Sequence, residues 1–362
     1  MKKIFVLLLF SLLIISCKKE SDNIIWQRSF GEGNALFVMS SPDSGIVACG
    51  EVSASPFLIK LSRDKSTETT FTYPGGGLFS SAFYCDSFFI AAGSSEGSML
   101  LSRIDAEGML VWDAAVTTGF NISLTKLLPD GTDLLAIGST GPDYSAAAAY
   151  GLLFVKFDTS GNIIDTTEVT ENEFISVGNA VKDYQGNIYL ALTRQETDKK
   201  PRASVAKFNS SFQKLWEEEL YNNTNFGAGC LGIAIGESDS LYLTGKTEVS
   251  REAGTLDNSY LASMSTSGNI GRKKYLENSN SGTDLITNES GEILLLNSNC
   301  FIIGVIDPMN GYDIRLIRMY NECDSYHSDA FGADLDLDYD GNILAAGSRG
   351  GSFYLALKSS SQ

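Results

Sequence analysis

The chain repeats itself with a period of roughly 40–50 residues, which confines it to folds assembled from copies of one small unit. Each unit carries an apolar strand ending in Gly, a variable loop, then an apolar strand ending in a polar residue. A tight turn follows, and then a strand that in places begins with Trp. The first strand recurs as Ile46–Gly50, Phe89–Gly93, Leu134–Gly138, Ile188–Leu192, Leu241–Gly245, Ile293–Asn297 and Ile343–Gly347. The second recurs as Leu58–Leu61, Leu101–Asp105, Phe154–Asp158 and Val205–Asn209, with weaker copies at Leu261–Met264, Ile303–Asp307 and Tyr354–Leu357. Turn residues such as Ser160-Gly161-Asn162 and Ser267-Gly268-Asn269 follow, as tight hairpins require.

Short alternating stretches of Val, Ile, Phe, Tyr and Thr, with no long 3.6-period segment, make the chain all-β. Strands such as Leu124–Leu128 and Gly229–Ile235, ahead of the first element, bring the unit to four strands. Seven copies predict a β-propeller of about seven four-stranded blades. Trp112 and Trp216 fall in one slot of the repeat, and Trp26 fits that slot with no strand before it. The C-terminus stops after Tyr354–Leu357 with no such strand behind it. Residues 25–30 are therefore expected to close the ring as the outermost strand of the final blade, removing exposed sheet edges. The repeat style resembles that of pyrroloquinoline-quinone-type and related propeller lipoproteins over essentially the whole mature chain. That resemblance is one of style and implies no cofactor.

Met1, Lys2 and Lys3 precede an apolar run from Ile4 to Ile15, the form of a secretory signal and too short to span a bilayer. Ile14-Ile15-Ser16-Cys17 resembles the lipobox of bacterial lipoproteins, although Leu is commoner where Ile14 stands. The resemblance implies cleavage before Cys17 and lipid attachment to it. The chain thus divides into a signal at 1–16, a lipidated Cys and tether at 17–24, and the propeller at 25–362. With Lys18 and no Asp after the cysteine, the tether resembles those of lipoproteins sent to the outer membrane. The periplasmic and cell-surface faces both stay open.

The formal charge of −17 becomes more negative once Lys2 and Lys3 leave with the signal. Such a balance opposes nucleic acid and anionic membrane surfaces, so the lipid is the only expected link to a membrane. Of the cysteines beyond Cys17, Cys49 and Cys230 sit in apolar strands and read as small buried hydrophobes. Cys300 and Cys323 lie near one end of a predicted hairpin, where a disulfide is one of the alternatives.

In a meander the turns between first and second and between third and fourth strands share one face of the ring. They are short throughout, as at Asp43-Ser44-Gly45 and Asp130-Gly131. The opposite face holds the long connections, where binding residues concentrate. Tyr144, Tyr150, Tyr221, Asn225, Phe226, Tyr320, Tyr326 and His327 are its candidate contacts, since rings beside amides suit sugar or protein surfaces. Ordinary loop packing is the competing role for each.

Asp336-Leu337-Asp338-Tyr339-Asp340-Gly341 opens like a calcium loop, but Gly347 stands where a bidentate Glu is needed. It reads as an acidic hairpin turn. Cys323 and His327 are two potential ligands with no further His to complete a site, so no metal is assigned. Gly75-Gly76-Gly77 lacks the helix and the Lys-Ser/Thr of a phosphate loop. Lys60, Arg103, Lys156 and Lys207 share one register and read as snorkelling side chains. No catalytic residues are assigned. The expected function is a non-enzymatic envelope lipoprotein, a monomer or part of a complex, that binds a protein partner or glycan through the long-loop face. The rival is a polysaccharide hydrolase or lyase with its site at the channel mouth. An enzyme requires titratable groups converging in one pocket with displaced pKa values; a binding module presents a shallow aromatic and amide surface.

Overall fold

The structure, a computed structural model, describes residues 24–85, 87–141, 150–221, 227–237, 239–251, 254–276, 281–298, 302–309, 312–318 and 330–359. These residues form 27 strands, all paired antiparallel. No helix among them is long and apolar enough to cross a membrane.

The chain opens with β1 (Ile24–Ser40), β2 (Ile46–Val52), β3 (Ser55–Leu61) and β4 (Glu68–Thr72). The second unit is β5 (Leu78–Cys85), β6 (Phe88–Ser95), β7 (Ser98–Asp105) and β8 (Leu110–Val116). The third is β9 (Asn121–Asp130), β10 (Asp133–Gly141), β11 (Tyr150–Phe157) and β12 (Ile163–Glu171). The fourth is β13 (Phe174–Lys182), β14 (Ile188–Gln195), β15 (Arg202–Phe208) and β16 (Lys214–Tyr221). The fifth is β17 (Ala228–Ile235), β18 (Ser240–Arg251), β19 (Gly254–Ser265) and β20 (Ile270–Leu276). The sixth is β21 (Gly282–Thr287), β22 (Ile293–Asn297), β23 (Ile302–Asp307) and β24 (Asp313–Arg318). Last come β25 (Ala330–Leu337), β26 (Ile343–Arg349) and β27 (Ser352–Lys358).

Units two to six are separate four-stranded sheets, and the remaining strands form one seven-stranded sheet in the order β25-β26-β27-β1-β2-β3-β4. The larger sheet arises because β1 is shared. Its first half pairs with β27, from Ile24 opposite Lys358 to Glu32 opposite Ser352. Its second half pairs with β2, from Gly33 opposite Val52 to Ser40 opposite Ile46. The hand-over falls at Gly31 and Gly33, whose φ of 105° and 149° only glycine adopts without strain. Residues 25–30 thus pair with β27, the partner that the sequence assigns to them.

Middle strands such as β2, β10 and β14 are buried on both faces, which is why they read as unbroken apolar runs. Outer strands such as β8 and β12 alternate or stay exposed. Seven apolar clusters fill the spaces between consecutive units. The seventh joins Leu344, Phe353 and Leu355 of the last unit to Ala48, Phe57 and Ile59 of the first. Each large side chain so buried contributes roughly 1.5–3 kcal/mol. Cys49 and Cys230 are fully buried within this packing, as expected. The Trp slot is also explained, because Trp112 lies over Gly161 and Trp216 over Gly268, each in a turn of the following unit.

Every innermost strand carries one bulge at the same level. The extra residues are Leu36, Ser80, Thr125, Gly178, Leu231, Thr283 and Ala333. The residue opposite the start of the bulge is the repeat's terminal glycine in five units: Gly50, Gly93, Gly138, Gly245 and Gly347. A Cβ on Gly93 would sit 1.9 Å from the Leu78 carbonyl oxygen, and one on Gly245 1.9 Å from that of Gly229. The bulge drives a carbonyl into the second strand, and only glycine leaves room for it.

Candidate functional site

A bulge re-aims the side chain that follows it. In chain order those residues are Phe37, Ser81, Lys126, Asn179, Gly232, Asp284 and Asp334, all in one register. Five of them, all but Ser81 and Gly232, line a cavity of about 530 Å3 between the inner strands, which Asp336 also borders. A smaller cavity of about 60 Å3 sits at the level of the bulged residues and shares Lys126, Asn179, Asp284 and Asp334 with the first. The larger space is walled by Met39, Leu128, Lys182, Ile235, Thr287 and Leu337, the ends of strands that run into the short turns.

The polar groups here tie neighbouring strands together. Val38 N–H donates to Asp334 Oδ2 at 2.8 Å, and Ser40 N–H to Asp336 Oδ2 at 2.7 Å. Leu335 N–H donates to Asp284 Oδ2 at 3.2 Å, and the Asn179 amide to Asp284 Oδ1 at 2.8 Å. Leu127 N–H reaches Ser81 Oγ at 3.1 Å in the same way. Lys126 forms no ion pair among the described residues; its ammonium stands 5.2 Å from the centre of the Phe37 ring. Burial pushes the Asp334 carboxyl well above the usual carboxylate range, and the charge of Asp284 adds to the shift while Lys126 opposes it. Burial raises Asp336 too, against the pull of the Ser40 N–H. Titratable groups with displaced pKa values therefore converge in one cavity, the arrangement that acid–base chemistry needs.

The residues nominated on the long-loop face are only partly within the described structure. Tyr150 is half-buried, its ring edge-on to Phe174 at 5.5 Å. Tyr221 packs on Tyr260 at 4.6 Å and Tyr275 at 5.7 Å, with the Lys273 ammonium 4.7 Å above its ring. Both hold strand ends in place. Tyr144, Asn225, Phe226, Tyr320, Tyr326 and His327 lie outside the described residues, as do Cys17, Cys300 and Cys323.

In the acidic turn, Asp338 already accepts from the N–H groups of Asp340 and Asn342 and from the Asn342 amide. Asp183 does the same with Gln185 and Asn187, so the segment is a turn that this chain repeats. The cations in the shared register are anchored locally. Lys60 pairs with Asp43, Arg103 lies 3.9 Å from the Phe88 ring centre, Lys156 bridges Asp130 and Asp133, and Lys207 lies 5.0 Å from that of Tyr189.

Reading the sequence for loop aromatics missed Lys126, Asn179, Asp284 and Asp334. The signal available was a lone polar residue at a fixed place in an inner strand, clearest in Gly282-Thr283-Asp284-Leu285 and Gly332-Ala333-Asp334-Leu335.

No protein-family model matches the chain, and no curated protein is similar to it. Among solved structures it is similar to the polysaccharide lyase Uly1, with a TM-score of 0.58 and 10% identity over 91% of this chain and 90% of that one. It is also similar to the extracellular domain of a B. thetaiotaomicron chain named as a hybrid two-component system. There the TM-score is 0.56 and the identity 11%, over 92% of this chain and 39% of that one. The class these likenesses define is an all-β protein of repeated four-stranded antiparallel sheets.

Proposed function

We propose that the chain is a seven-bladed β-propeller closed by β1, held in the cell envelope as a lipoprotein through Cys17, which recognises a carbohydrate in its central channel. One observation carries the ligand reading: Lys126, Asn179, Asp284, Asp334 and Asp336 converge on a single cavity. Its volume of about 530 Å3 lies in the range of small-molecule sites, roughly 300–1,000 Å3. Carboxyls, an amide and an ammonium offer acceptors and donors for sugar hydroxyls, beside apolar side chains that a sugar ring can pack against. The outer-membrane address rests on the tether after Cys17, and the envelope setting agrees with the extracellular neighbour.

Glycan-array binding by the chain from Lys18 onward tests this, with Lys126→Met and Tyr221→Ala beside it. Binding by the wild type, lost in Lys126→Met and kept in Tyr221→Ala, is the expected result. Loss in Tyr221→Ala alone moves the site to the long-loop face, and no binding by the wild type replaces the glycan with a protein partner. A second reading, a polysaccharide-degrading enzyme, draws on Asp334 and Asp336 being displaced in the same cavity. New reducing ends or unsaturated products from a bound glycan would establish it.

A further inference from the structure

We propose that Asp284 and Asp334 hold one proton between them, and that this proton sets the pH range in which the channel keeps its shape and takes its ligand. The ligand half rests on the channel being a binding site, while the proton half stands without it.

The two carboxyls come from adjacent inner strands, β21 and β25, and occupy the same position after the bulge. Both are more than nine-tenths buried, at 4% and 7% exposure. Asp334 gives one oxygen to the Val38 N–H, and Asp284 receives both the Leu335 N–H and the Asn179 amide. The Asp284 carboxyl accepts from the N–H of Leu335, the residue next to Asp334 in the chain, and both carboxyls border the same two cavities, so the two groups are close neighbours. Two buried carboxylates in contact repel unless a proton or a cation lies between them.

The cations facing Asp334 supply only part of that compensation. Lys126 on β9 is the one ammonium acting on it, and it also faces Asp336. Lys182 on β13 borders the cavity but is bound to Asp130 at 2.7 Å and to the Pro129 carbonyl. The Cys49 thiol on β2 is fully buried and adds no positive charge, and β1 presents the apolar Phe37, Val38 and Met39. A shared proton is the remaining solution. Asp334, lifted by burial, is the donor, and Asp284, already receiving two hydrogen bonds, is the acceptor.

A carboxyl raised on folding contributes stability that is fully present below the ordinary carboxylate pKa and is lost as pH rises through the folded value. The pair therefore joins β21 to β25 on the acid side and pushes them apart on the alkaline side. Because both residues line the ligand cavity, loss of the proton changes the site from acid plus carboxylate to two carboxylates.

The test is infrared spectroscopy and thermal unfolding of the unliganded mature chain across pH, with Asp334→Asn and Asp284→Asn alongside. The wild type should show a protonated carboxyl band at neutral pH, and its Tm should fall as that band titrates away. Asp334→Asn should weaken the band and flatten the fall in Tm over the same interval, leaving only the share of Asp336. Lys126→Met should move the titration to higher pH. Absence of the band in the wild type at neutral pH, or an unchanged slope in Asp334→Asn, overturns the shared proton. Should the Asn variants not fold, the wild-type band alone decides. If a glycan binds, its affinity should fall about tenfold per pH unit above the midpoint. A flat affinity overturns the link to the ligand and leaves the proton standing, and a chain that binds no glycan overturns the ligand half alone.

Discussion

Val38 and Asp334 stand 296 positions apart, yet the N–H of one donates to the carboxyl of the other at 2.8 Å. Leu335 with Asp284 and Leu127 with Ser81 repeat the arrangement. In each pair, the residue after one strand's bulge accepts from the backbone two residues past the bulge of the next strand. The polar side chains of the cavity thus have structural work as well as chemical potential.

Ser81→Ala isolates the structural part, because it removes an uncharged acceptor. The Leu127 N–H would be left buried without a partner, which costs about 1–3 kcal/mol. Urea unfolding should show that loss with no pH dependence, in contrast to variants of Asp334.

Gly93→Ala and Gly245→Ala test the link between bulge and glycine. Their new methyl groups would meet backbone carbonyls that cannot move without disturbing the bulge. Overpacking of this kind costs about 1–3 kcal/mol. Gly119→Ala, with open space around it, should change stability by less than about 0.5 kcal/mol in the same denaturation series.

Arg194 is 3% exposed and holds Glu171, Glu173 and Glu217 around it. Burial alone would raise Glu171, but Arg194 and Lys214 overrule it and hold the carboxyl below its usual value. A lowered carboxyl stabilises above its unfolded pKa and loses that contribution as pH falls through the folded one. Arg194→Met should cost about 3–5 kcal/mol at neutral pH. The variant should regain part of it on acidification, as the stranded glutamates take up protons; Tm against pH reads both effects.

Removing residues 24–32 should expose the edge of β27 and the apolar surface now covered by Trp26 and Phe30. The truncated chain is expected to melt at lower temperature and to self-associate with rising concentration in light scattering.

The sheets were legible in the sequence because their middle strands are buried on both faces, so Ile46–Gly50 and its copies stand out as apolar runs. The terminal glycines were equally visible, but their cause was not. A carbonyl pressed into Gly93 is a contact between two strands, and periodicity describes one strand at a time. The cavity was hidden for the same reason. Lys126, Asn179, Asp284 and Asp334 are single polar residues in four different repeats, and only the recurring bulges bring them into one space. Tyr221, by contrast, looked available in the sequence because its neighbours Tyr260 and Tyr275 belong to the next unit.

The sharing of β1 between β27 and β2 also orders events in time. Ile24 cannot find its partner Lys358 until nearly the whole described chain has been made. Contacts so distant in sequence form late, after the intervening loops have closed. A chain that emerges from a ribosome one end first must therefore keep its leading strand half-paired throughout. Completion waits for the trailing end, so the last pairing to form is the one that joins the two ends of the chain.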